Sequence, residues 1–354
     1  MRISKDSIVF LPSDFHFIKK VGPKNAVQMV LAHTATHKTP FIYDLPQLAD
    51  FLHGHDRPFF SVLRRVDQQY TPITIKKPNG ESRIVFSPSG RLRFMQHRIL
   101  SQILRHYPVS KYATAYIKGR RLFDNAQPHT GQKYLLKLDI TNFFGSISAR
   151  QILCTVFNKH FFPTPVGIAL TNLCCYKGAL AQGAPSSPML SNLIMKHFDD
   201  TMGVWCENNR INYTRYCDDI TFSSDKPLYH AYSKACSLLK KMGFKPNERK
   251  THFVANTRRQ TVTGLTVNQK VSVPTEYKRR LRQKLYYFFK YDTDDFGYKN
   301  SQISYTGYLH SLLGQAGYVL SIEPSNRYFE DAKHKLLDIL YETEIFYDKP
   351  DYEL

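Results

Sequence analysis

The sequence is poor in acidic residues and has no cysteines in metal-binding spacing. Its 354 residues include 29 Asp plus Glu against 49 Lys plus Arg, a formal net charge of +20. No two of the six cysteines form a C-x-x-C pair, and Cys174 and Cys175 are adjacent. This pattern favours neither a zinc knuckle nor a disulfide framework. We therefore expect reduced thiols without a chemical role.

Long apolar segments are also missing. The chain has no run of about 18 apolar residues, and its start has no basic region followed by an apolar one. We expect a soluble, cytoplasmic protein without a membrane partner. Apolar residues, by contrast, make up 42% of the chain and aromatic residues 14%, which is enough for a packed core. The excess of positive charge favours a polyanionic partner, with nucleic acid the first candidate.

The first part of the chain shows helical patterns and one hairpin signal. Helix-like patches at Asn25–His33 and Asp44–His53 predict an N-terminal helical extension over residues 1–60. Next, "ITI" and "RIVF" flank a Pro-Asn-Gly turn, which is typical of a β-hairpin. Lys77 and Arg83 lie close to this turn. They belong either to a solvated hairpin tip or to a basic finger that grips phosphates.

From Lys133 onward the predicted elements follow the order β, α, β, β, α, β. The strands are "KYLLKLD", the two arms of "YTRYCDDITFSS", and a last strand in "KTHFVAN". This order matches a split βαβ fold of the α+β class, in which the third strand lies between the first two. Asp139, at the end of the first strand, should then lie near Asp218 and Asp219.

Two interpretations of these aspartates are open from the residues alone. Asp is a favoured turn residue, so Asp218 and Asp219 could form only a tight connection. Adjacent carboxylates repel each other, however, unless cations or hydrogen-bond donors offset the repulsion. Three clustered carboxylates form an all-oxygen site suited to Mg²⁺. Two such ions about 4 Å apart can activate an attacking hydroxyl and stabilise a leaving pyrophosphate.

Several motifs resemble those of a known family. "KLDITNFFGSI", "AQGAPSSPMLSN", "YTRYCDD" and "GFKPNERKT" resemble four successive palm motifs of reverse transcriptases, in the same order, over about residues 70 to 270. "NAQPH" and "VTG" resemble the N-A-x-x-H and V-T-G signatures of bacterial retron reverse transcriptases. The resemblance implies a right-hand polymerase, with fingers and a ferredoxin-like palm over 61–270 and a basic, helical thumb over 271–354.

The resemblance also implies roles for individual residues. Asp139, Asp218 and Asp219 would be catalytic and hold two Mg²⁺ ions, with the Ile140 carbonyl as a further ligand. Residues implied to bind the incoming dNTP are Lys77, Arg83, Phe144, Gln182 and Lys250. Phe144 would exclude a ribose 2′-OH, although without the family it reads as an ordinary core residue. Residues implied to contact nucleic acid are Asn125, His129, Tyr216, Val262, Thr263, Gly264, Arg279, Arg280, Arg282 and Lys284.

A retron enzyme in the bacterial cytoplasm would copy its own structured noncoding RNA. It would start from an RNA 2′-OH and leave a branched product of RNA and multicopy single-stranded DNA. The family also implies an unidentified effector protein and a role in antiphage defence. For His129 we expect positioning or RNA contact and no acid–base catalysis. The alternatives are a group II intron-like or abortive-infection reverse transcriptase with different priming, and a non-catalytic RNA-binding protein.

Overall fold

The computed structural model describes residues 2–4, 7–9, 28, 41–53, 56–76, 80, 82–291 and 304–347. Before the first strand of the predicted βαβ fold, the elements are β1 (Arg2–Ser4), β2 (Ser7–Val9), α1 (Leu45–His53), α2 (Asp56–Arg64), β3 (Tyr70–Lys76), β4 (Ser82–Pro88), α3 (Gly90–Gln102) and α4 (Leu122–Ala126). Next come β5 (Tyr134–Asp139), α5 (Phe143–Ser146), α6 (Ala149–Thr155), α7 (Thr164–Cys174), β6 (Cys175–Tyr176), β7 (Ala179–Leu180) and α8 (Ser187–Asn208).

The remaining elements begin with the predicted hairpin around the paired aspartates. They are β8 (Asn212–Tyr216), β9 (Asp219–Ser224), α9 (Tyr229–Lys241), β10 (His252–Ala255), β11 (Thr261–Val262), β12 (Leu265–Thr266), α10 (Thr275–Tyr291), α11 (Tyr305–Ile322) and α12 (Arg327–Tyr347). Helix α9 has Lys240 and Lys241 in its last turn and is followed by Gly243 at φ 84°. Both features are typical of a helix C-terminus.

A four-stranded sheet has the order β10-β5-β9-β8. The third of its strands in sequence, β9, therefore lies between the first two, β5 and β8, as the split βαβ interpretation predicted. Five of the six residues of β9 are buried. Near-continuous burial of this kind is typical of a strand covered on both faces. The α+β fold class is confirmed.

The chain divides into two compact units. Unit 1 comprises residues 1–120, 136–222 and 228–252, and unit 2 comprises residues 121–135, 223–227 and 253–354. Each unit has its own apolar core: the core of unit 1 includes Phe59, Leu92 and Phe198, and that of unit 2 includes Leu285 and Phe329. The division into extension, fingers and palm, and thumb stays a prediction.

The predicted hairpin is present as the antiparallel pair β3 and β4, in register from Tyr70 with Pro88 to Lys76 with Ser82. The predicted helix at Asp44–His53 corresponds to α1. The patch at Asn25–His33 lies outside the described residues, apart from Gln28. Strands β1 and β2, which pair with each other near the start of the chain, were not predicted. Among the described helices, none is both long and apolar enough to cross a membrane.

Candidate active site

Unit 1 contains a cleft of about 560 Å³ where the ends of several elements meet. Strand β4, the end of β5 and its following turn, the segment after β7, and the turn between β8 and β9 all contribute side chains. The cleft brings together most of the residues predicted from the catalytic motifs. Among those lining it are Arg83, Asp139, Ile140, Phe144, Gln182, Asp218 and Lys250.

Asp139 is the most tightly held carboxylate of this cleft. It is the last residue of β5, and only 6% of its surface is exposed. Its Oδ2 accepts a hydrogen bond from Lys250 Nζ at 2.9 Å, and its Oδ1 accepts one from Asn247 Nδ2 at 3.1 Å. The backbone N–H of Asn247 also donates to the Asp139 carbonyl at 2.8 Å. Both carboxylate oxygens therefore face hydrogen-bond donors, as a buried charge requires.

Asp218 and Asp219 lie where β8 turns into β9. Cys217 and Asp218 form the connection, and Cys217 has the left-handed φ of 60°. Burial raises the pKa of Asp219, and the nearby charges of Asp218 and Asp139 raise it further. Each of the three carboxylates therefore lies within electrostatic reach of at least one of the others, as the topology predicted.

Lys250 and Lys137 provide the opposing positive charge. Both lysines lower the pKa of Asp219, and hydrogen bonding to Asp139 raises the pKa of Lys250. Within the described ranges, no three His, Cys, Asp or Glu side chains are grouped closely enough to hold a metal ion. In this arrangement the ammonium group of Lys250 forms an ion pair with the carboxylate of Asp139. The cleft thus attracts positive charge to carboxylate oxygens, the donor atoms that Mg²⁺ prefers.

Gln182 and Gly183 join the hairpin of unit 1 to the cleft. Gln182 Oε1 accepts a hydrogen bond from Arg83 Nε at 2.6 Å, and its carbonyl accepts one from Phe86 N–H at 2.7 Å. Gly183 has φ 121°, and a Cβ at this position would lie 2.7 Å from the Phe86 carbonyl oxygen. Only glycine fits here, because a side chain would meet both backbone strain and a steric clash.

The two phenylalanines after Asp139 differ in exposure. Both line the cleft, but Phe143 is buried in the core of unit 1, whereas Phe144 is half-buried. Phe144 is therefore available to contact a bound nucleotide. Tyr216, at the end of β8, is also half-buried. Lys77, the remaining residue predicted to bind dNTP, lies outside the described residues.

The residues of the two retron signatures meet inside unit 2. Asn125 Nδ2 donates to Thr263 Oγ1 at 3.4 Å, although the two residues are 138 positions apart. His129 is completely buried, its Nδ1 lies 2.7 Å from Ser223 Oγ, and burial lowers its pKa to about 3. A neutral, buried imidazole fits the expectation that His129 does no acid–base catalysis. Contact of Asn125 and His129 with nucleic acid stays a prediction.

Val262, Thr263 and Gly264 belong to a tight hairpin between β11 and β12. Val262 is buried and pairs with Leu265, while Thr263 and Gly264 form the turn with φ values of 45° and 83°. Positive φ at both central residues is typical of a type I′ hairpin turn, in which a β-branched residue such as Thr is strained. Gly264 is exposed at the tip, so this turn is available for contact.

Helix α10 carries the predicted basic residues on its exposed surface. Arg280 forms an ion pair with Glu276 one turn earlier, and Arg282 lies over the rings of Tyr328 and Phe329 at 5.4 Å. Lys284 Nζ donates to Gln315 Oε1 at 3.3 Å. Arg279 is exposed as well. The four cations thus present a positive surface, which suits nucleic-acid backbone.

Three residues near the cleft were missed by the sequence analysis: Asn247, Lys137 and Arg215. Asn247 lies in the "GFKPNERKT" motif, and Lys137 lies two positions before Asp139 on the same strand. The signal for Arg215 is the period of a strand, because Tyr213, Arg215 and Cys217 share one face and both neighbours are apolar. That face is buried, with Arg215 fully inaccessible to solvent.

Comparison with known proteins agrees with this geometry. The profile of the family described as "Reverse transcriptase (RNA-dependent DNA polymerase)" matches residues 75–310, well over half of the chain. The chain therefore belongs to the reverse transcriptase family, and it is an RNA-directed DNA polymerase. Families of this kind use divalent metal ions for nucleotidyl transfer.

Curated relatives narrow the family to bacterial retron reverse transcriptases. The chain is 32% identical to the retron Ec86 reverse transcriptase of Escherichia coli over 228 residues, 63% of this chain and 71% of that protein. It is 31% identical to the retron Ec83 reverse transcriptase of Escherichia coli, covering 76% of this chain and 88% of that protein. A retron Mx65 reverse transcriptase of Myxococcus xanthus is 29% identical over 62% of this chain and 56% of that protein.

Proposed function

We propose that this reverse transcriptase copies its own structured noncoding RNA into branched, multicopy single-stranded DNA, primed from an RNA 2′-OH. The observation that carries the proposal is the pair of carboxylates in the cleft of unit 1, where Asp139 is held by Lys250 and Asn247 near the turn that carries Asp218. A protein that only bound RNA would gain nothing from carboxylates facing a polyanion.

The carboxylate oxygens of Asp139, Asp218 and Asp219 would hold two Mg²⁺ ions, with the Ile140 carbonyl as a further ligand. Bound Mg²⁺ would lower the pKa of the attacking hydroxyl and stabilise the leaving pyrophosphate. The fit rests on the donor set, which consists of hard oxygens in a cleft that already holds an ammonium group.

Other cleft residues would orient the nucleotide. Arg83 offers a planar fork for triphosphate oxygens, and Lys77 and Lys250 offer point charges. Gln182 is placed by its bond to Arg83, so the two side chains would contact the incoming dNTP together. Phe144 would contact the sugar and exclude a 2′-OH. Tyr216 would support the primer end.

Unit 2 would hold the nucleic acid. Exposed Arg279, Arg280, Arg282 and Lys284 would contact duplex backbone, since a heteroduplex near A-form offers phosphates and a shallow minor groove. The exposed turn Thr263–Gly264 would contact the cognate RNA, with Val262 as its buried base. Asn125 and His129 would position this turn and the chain around it.

The deciding experiment is co-expression of the protein with the noncoding RNA encoded beside its gene. Nucleic acid from these cells is treated with ribonuclease and with a debranching enzyme, and the DNA product is then sequenced. We expect a branched product with wild type and no DNA with Asp218→Asn. A linear product would indicate the priming of a group II intron-like or abortive-infection enzyme. RNA bound without any DNA would indicate a non-catalytic binding protein.

The proposal also includes a role in antiphage defence, in which the enzyme would act together with an effector protein. It is tested by the plating efficiency of phages on cells that carry the complete locus. We expect protection with the wild-type enzyme and loss of protection with Asp218→Asn. Equal plating on both strains would contradict a defence role that depends on reverse transcription.

A further inference from the structure

The turn that carries Asp218 contains a strained residue. Cys217 immediately precedes Asp218 and has φ 60°, in the left-handed region. This region is disfavoured for residues with a Cβ, so neighbouring groups must hold the backbone there. Strain of this kind is found at functional sites where the surroundings over-determine the conformation.

A buried guanidinium holds this turn by its backbone. Arg215 Nη1 donates a hydrogen bond to the Cys217 carbonyl at 2.8 Å. The same side chain donates from Nε and Nη2 to the two carboxylate oxygens of Asp199, at 2.8 and 2.6 Å. Nη2 also donates to Asn192 Oδ1 at 3.1 Å. Arg215 therefore connects helix α8, which carries Asp199 and Asn192, to the turn.

The groups that bond Arg215 are themselves held by further contacts. Asp199 Oδ1 accepts a second hydrogen bond, from Tyr213 OH at 2.7 Å. Asn192 Nδ2 donates to the Ala115 carbonyl at 2.8 Å, and Tyr116 OH lies 3.4 Å from Cys217 Sγ. The turn is thus held at its backbone by Arg215 and at its side chain by Tyr116. A network in which every member is bonded is rigid.

We infer that Arg215 is a positioning residue of the polymerase: its guanidinium fixes the Cys217 carbonyl and so determines where Asp218 presents its carboxylate. Arg215 does not line the cleft, so it acts through the turn and not on substrate. The inference rests on the proposed role of Asp218 as a metal ligand. Groups that orient metal ligands in this way are typically worth tenfold to a hundredfold in metal affinity.

The competing interpretation is that Arg215 and Asp199 only stabilise the fold. A buried ion pair is a weak source of stability, because its desolvation cost offsets the attraction, and apolar residues of similar volume often replace it without loss. The two interpretations therefore predict different metal affinities for a folded protein from which the pair has been removed. A purely structural pair would leave metal binding unchanged, whereas a positioning pair would weaken it.

The first test replaces Arg215 with Lys in the full chain. Lysine keeps the charge but has three donors on a single nitrogen, so it cannot reproduce the four hydrogen bonds that the guanidinium makes to Asp199, Asn192 and the Cys217 carbonyl. We expect the dissociation constant for Mn²⁺, measured by calorimetry on the purified protein, to rise about tenfold or more. We also expect kcat to fall with little change in KM for dNTP.

The matched control is Gln96→Met, also in unit 1. Gln96 is buried, and its Nε2 donates to Tyr70 OH and to the Leu173 carbonyl, both at 2.8 Å, away from the turn. This variant should lower the melting temperature but leave Mn²⁺ binding within about twofold of wild type. If Gln96→Met loses as much Mn²⁺ affinity as Arg215→Lys, the effect is one of stability and the inference is overturned.

The second test is the double substitution Arg215→Met with Asp199→Met, which removes both buried charges. We expect a folded protein with weakened Mn²⁺ binding; wild-type binding and kcat would overturn the inference. Asp218→Asn is measured in parallel. If Asp218→Asn leaves Mn²⁺ binding unchanged, the proposed metal site fails. If Asp218→Asn abolishes binding while the Arg215 variants bind normally, only the role of Arg215 fails.

Discussion

The motif residues of unit 1 and unit 2 have opposite surroundings. In unit 1, Asp139, Phe144 and Gln182 line a cleft, and the buried Arg215 bonds the carbonyl of Cys217, next to Asp218. In unit 2, the N-A-x-x-H residues Asn125 and His129 are buried. The predicted contact residues that are exposed are the cations of α10 and Gly264 in the turn between β11 and β12. The motif residues of unit 1 thus line a cavity, whereas unit 2 has a positively charged surface and keeps its N-A-x-x-H residues buried.

A motif therefore does not by itself define a contact surface. Asp139 and His129 both belong to motifs that identify the family, yet one is bonded to a largely exposed ammonium in a cleft and the other is sealed inside a core. The role of each depends on its burial and its partners. Substitutions in the two units should therefore change different properties, catalysis in unit 1 and stability or nucleic-acid binding in unit 2.

The largest expected effect is that of Asp139→Asn. Loss of one carboxylate charge should lower the rate of dNTP incorporation about 10³-fold or more, because metal-ion stabilisation contributes several kcal/mol to such reactions. The melting temperature should fall only modestly, because the amide that replaces the carboxylate can still accept one of the two hydrogen bonds donated by Lys250 and Asn247. Asp225→Asn, at an exposed position outside the cleft, is the control. Equal rates for the two variants would contradict the assignment.

Gly183→Ala should have the next largest effect. A Cβ at this position would lie 2.7 Å from the Phe86 carbonyl oxygen and displace Gln182 from Arg83. We expect incorporation to fall about 10²-fold, as for other small displacements in active sites. Gly178→Ala, where φ is also positive but nothing lies within 4 Å of a Cβ, isolates the steric contact from backbone strain. Similar losses of incorporation in Gly183→Ala and Gly178→Ala would count against a specific role for the contact with Phe86.

Phe144→Val should relax the choice of sugar. Removing the ring should raise incorporation of ribonucleotides relative to deoxynucleotides roughly tenfold, because steric exclusion of one hydroxyl gives discrimination of about this size or somewhat more. The ratio of kcat/KM for dATP and ATP on one template measures the change. An unchanged ratio would assign Phe144 to packing alone.

His129→Asn should change how stability depends on pH. Burial lowers the pKa of His129 to about 3, whereas in the unfolded chain it takes up a proton near 6.5. Stability is therefore lost as the pH falls from about 6.5 towards 3, by about 1.4 kcal/mol per pH unit. Melting temperatures at pH 7.5, 6 and 5 should fall less steeply in His129→Asn. The exposed His97→Asn should keep the wild-type slope, and an equally steep loss in His129→Asn would refute the linkage.

The smallest effect is expected on the surface of α10. Arg279→Gln should weaken binding to an RNA–DNA duplex a few-fold and lower the slope of log affinity against log salt by about one. Arg280→Gln should do less, because Arg280 is already paired with Glu276. Titrations at several salt concentrations measure both slopes. A larger slope change for Arg280→Gln would reverse this ranking.

The fold of the four-stranded sheet could be predicted from sequence because its signals are local. The strands, the helices between them and the order in which they occur determine that β9 lies between β5 and β8. That order in turn brings Asp139 near Asp218 and Asp219. The hairpin β3–β4 was equally predictable from its turn residues.

What could not be predicted depends on pairs that are distant in sequence. Lys250 meets Asp139 across 111 positions, and Asn125 meets Thr263 across 138, and no periodicity reports such contacts. The burial of His129 is of the same kind, because it is decided by packing within unit 2. Arg215 is the instructive case: its strand period indicated a buried face, but an arginine is buried only when partners such as Asp199 neutralise it.

The most direct test of catalysis in the cleft of unit 1 is incorporation of labelled dNTPs on a primed RNA template with Mg²⁺, comparing wild type, Asp218→Asn and Asp225→Asn. We expect incorporation by wild type and Asp225→Asn and none by Asp218→Asn. Incorporation by Asp218→Asn at the wild-type rate would contradict the assignment of catalysis to the cleft of unit 1.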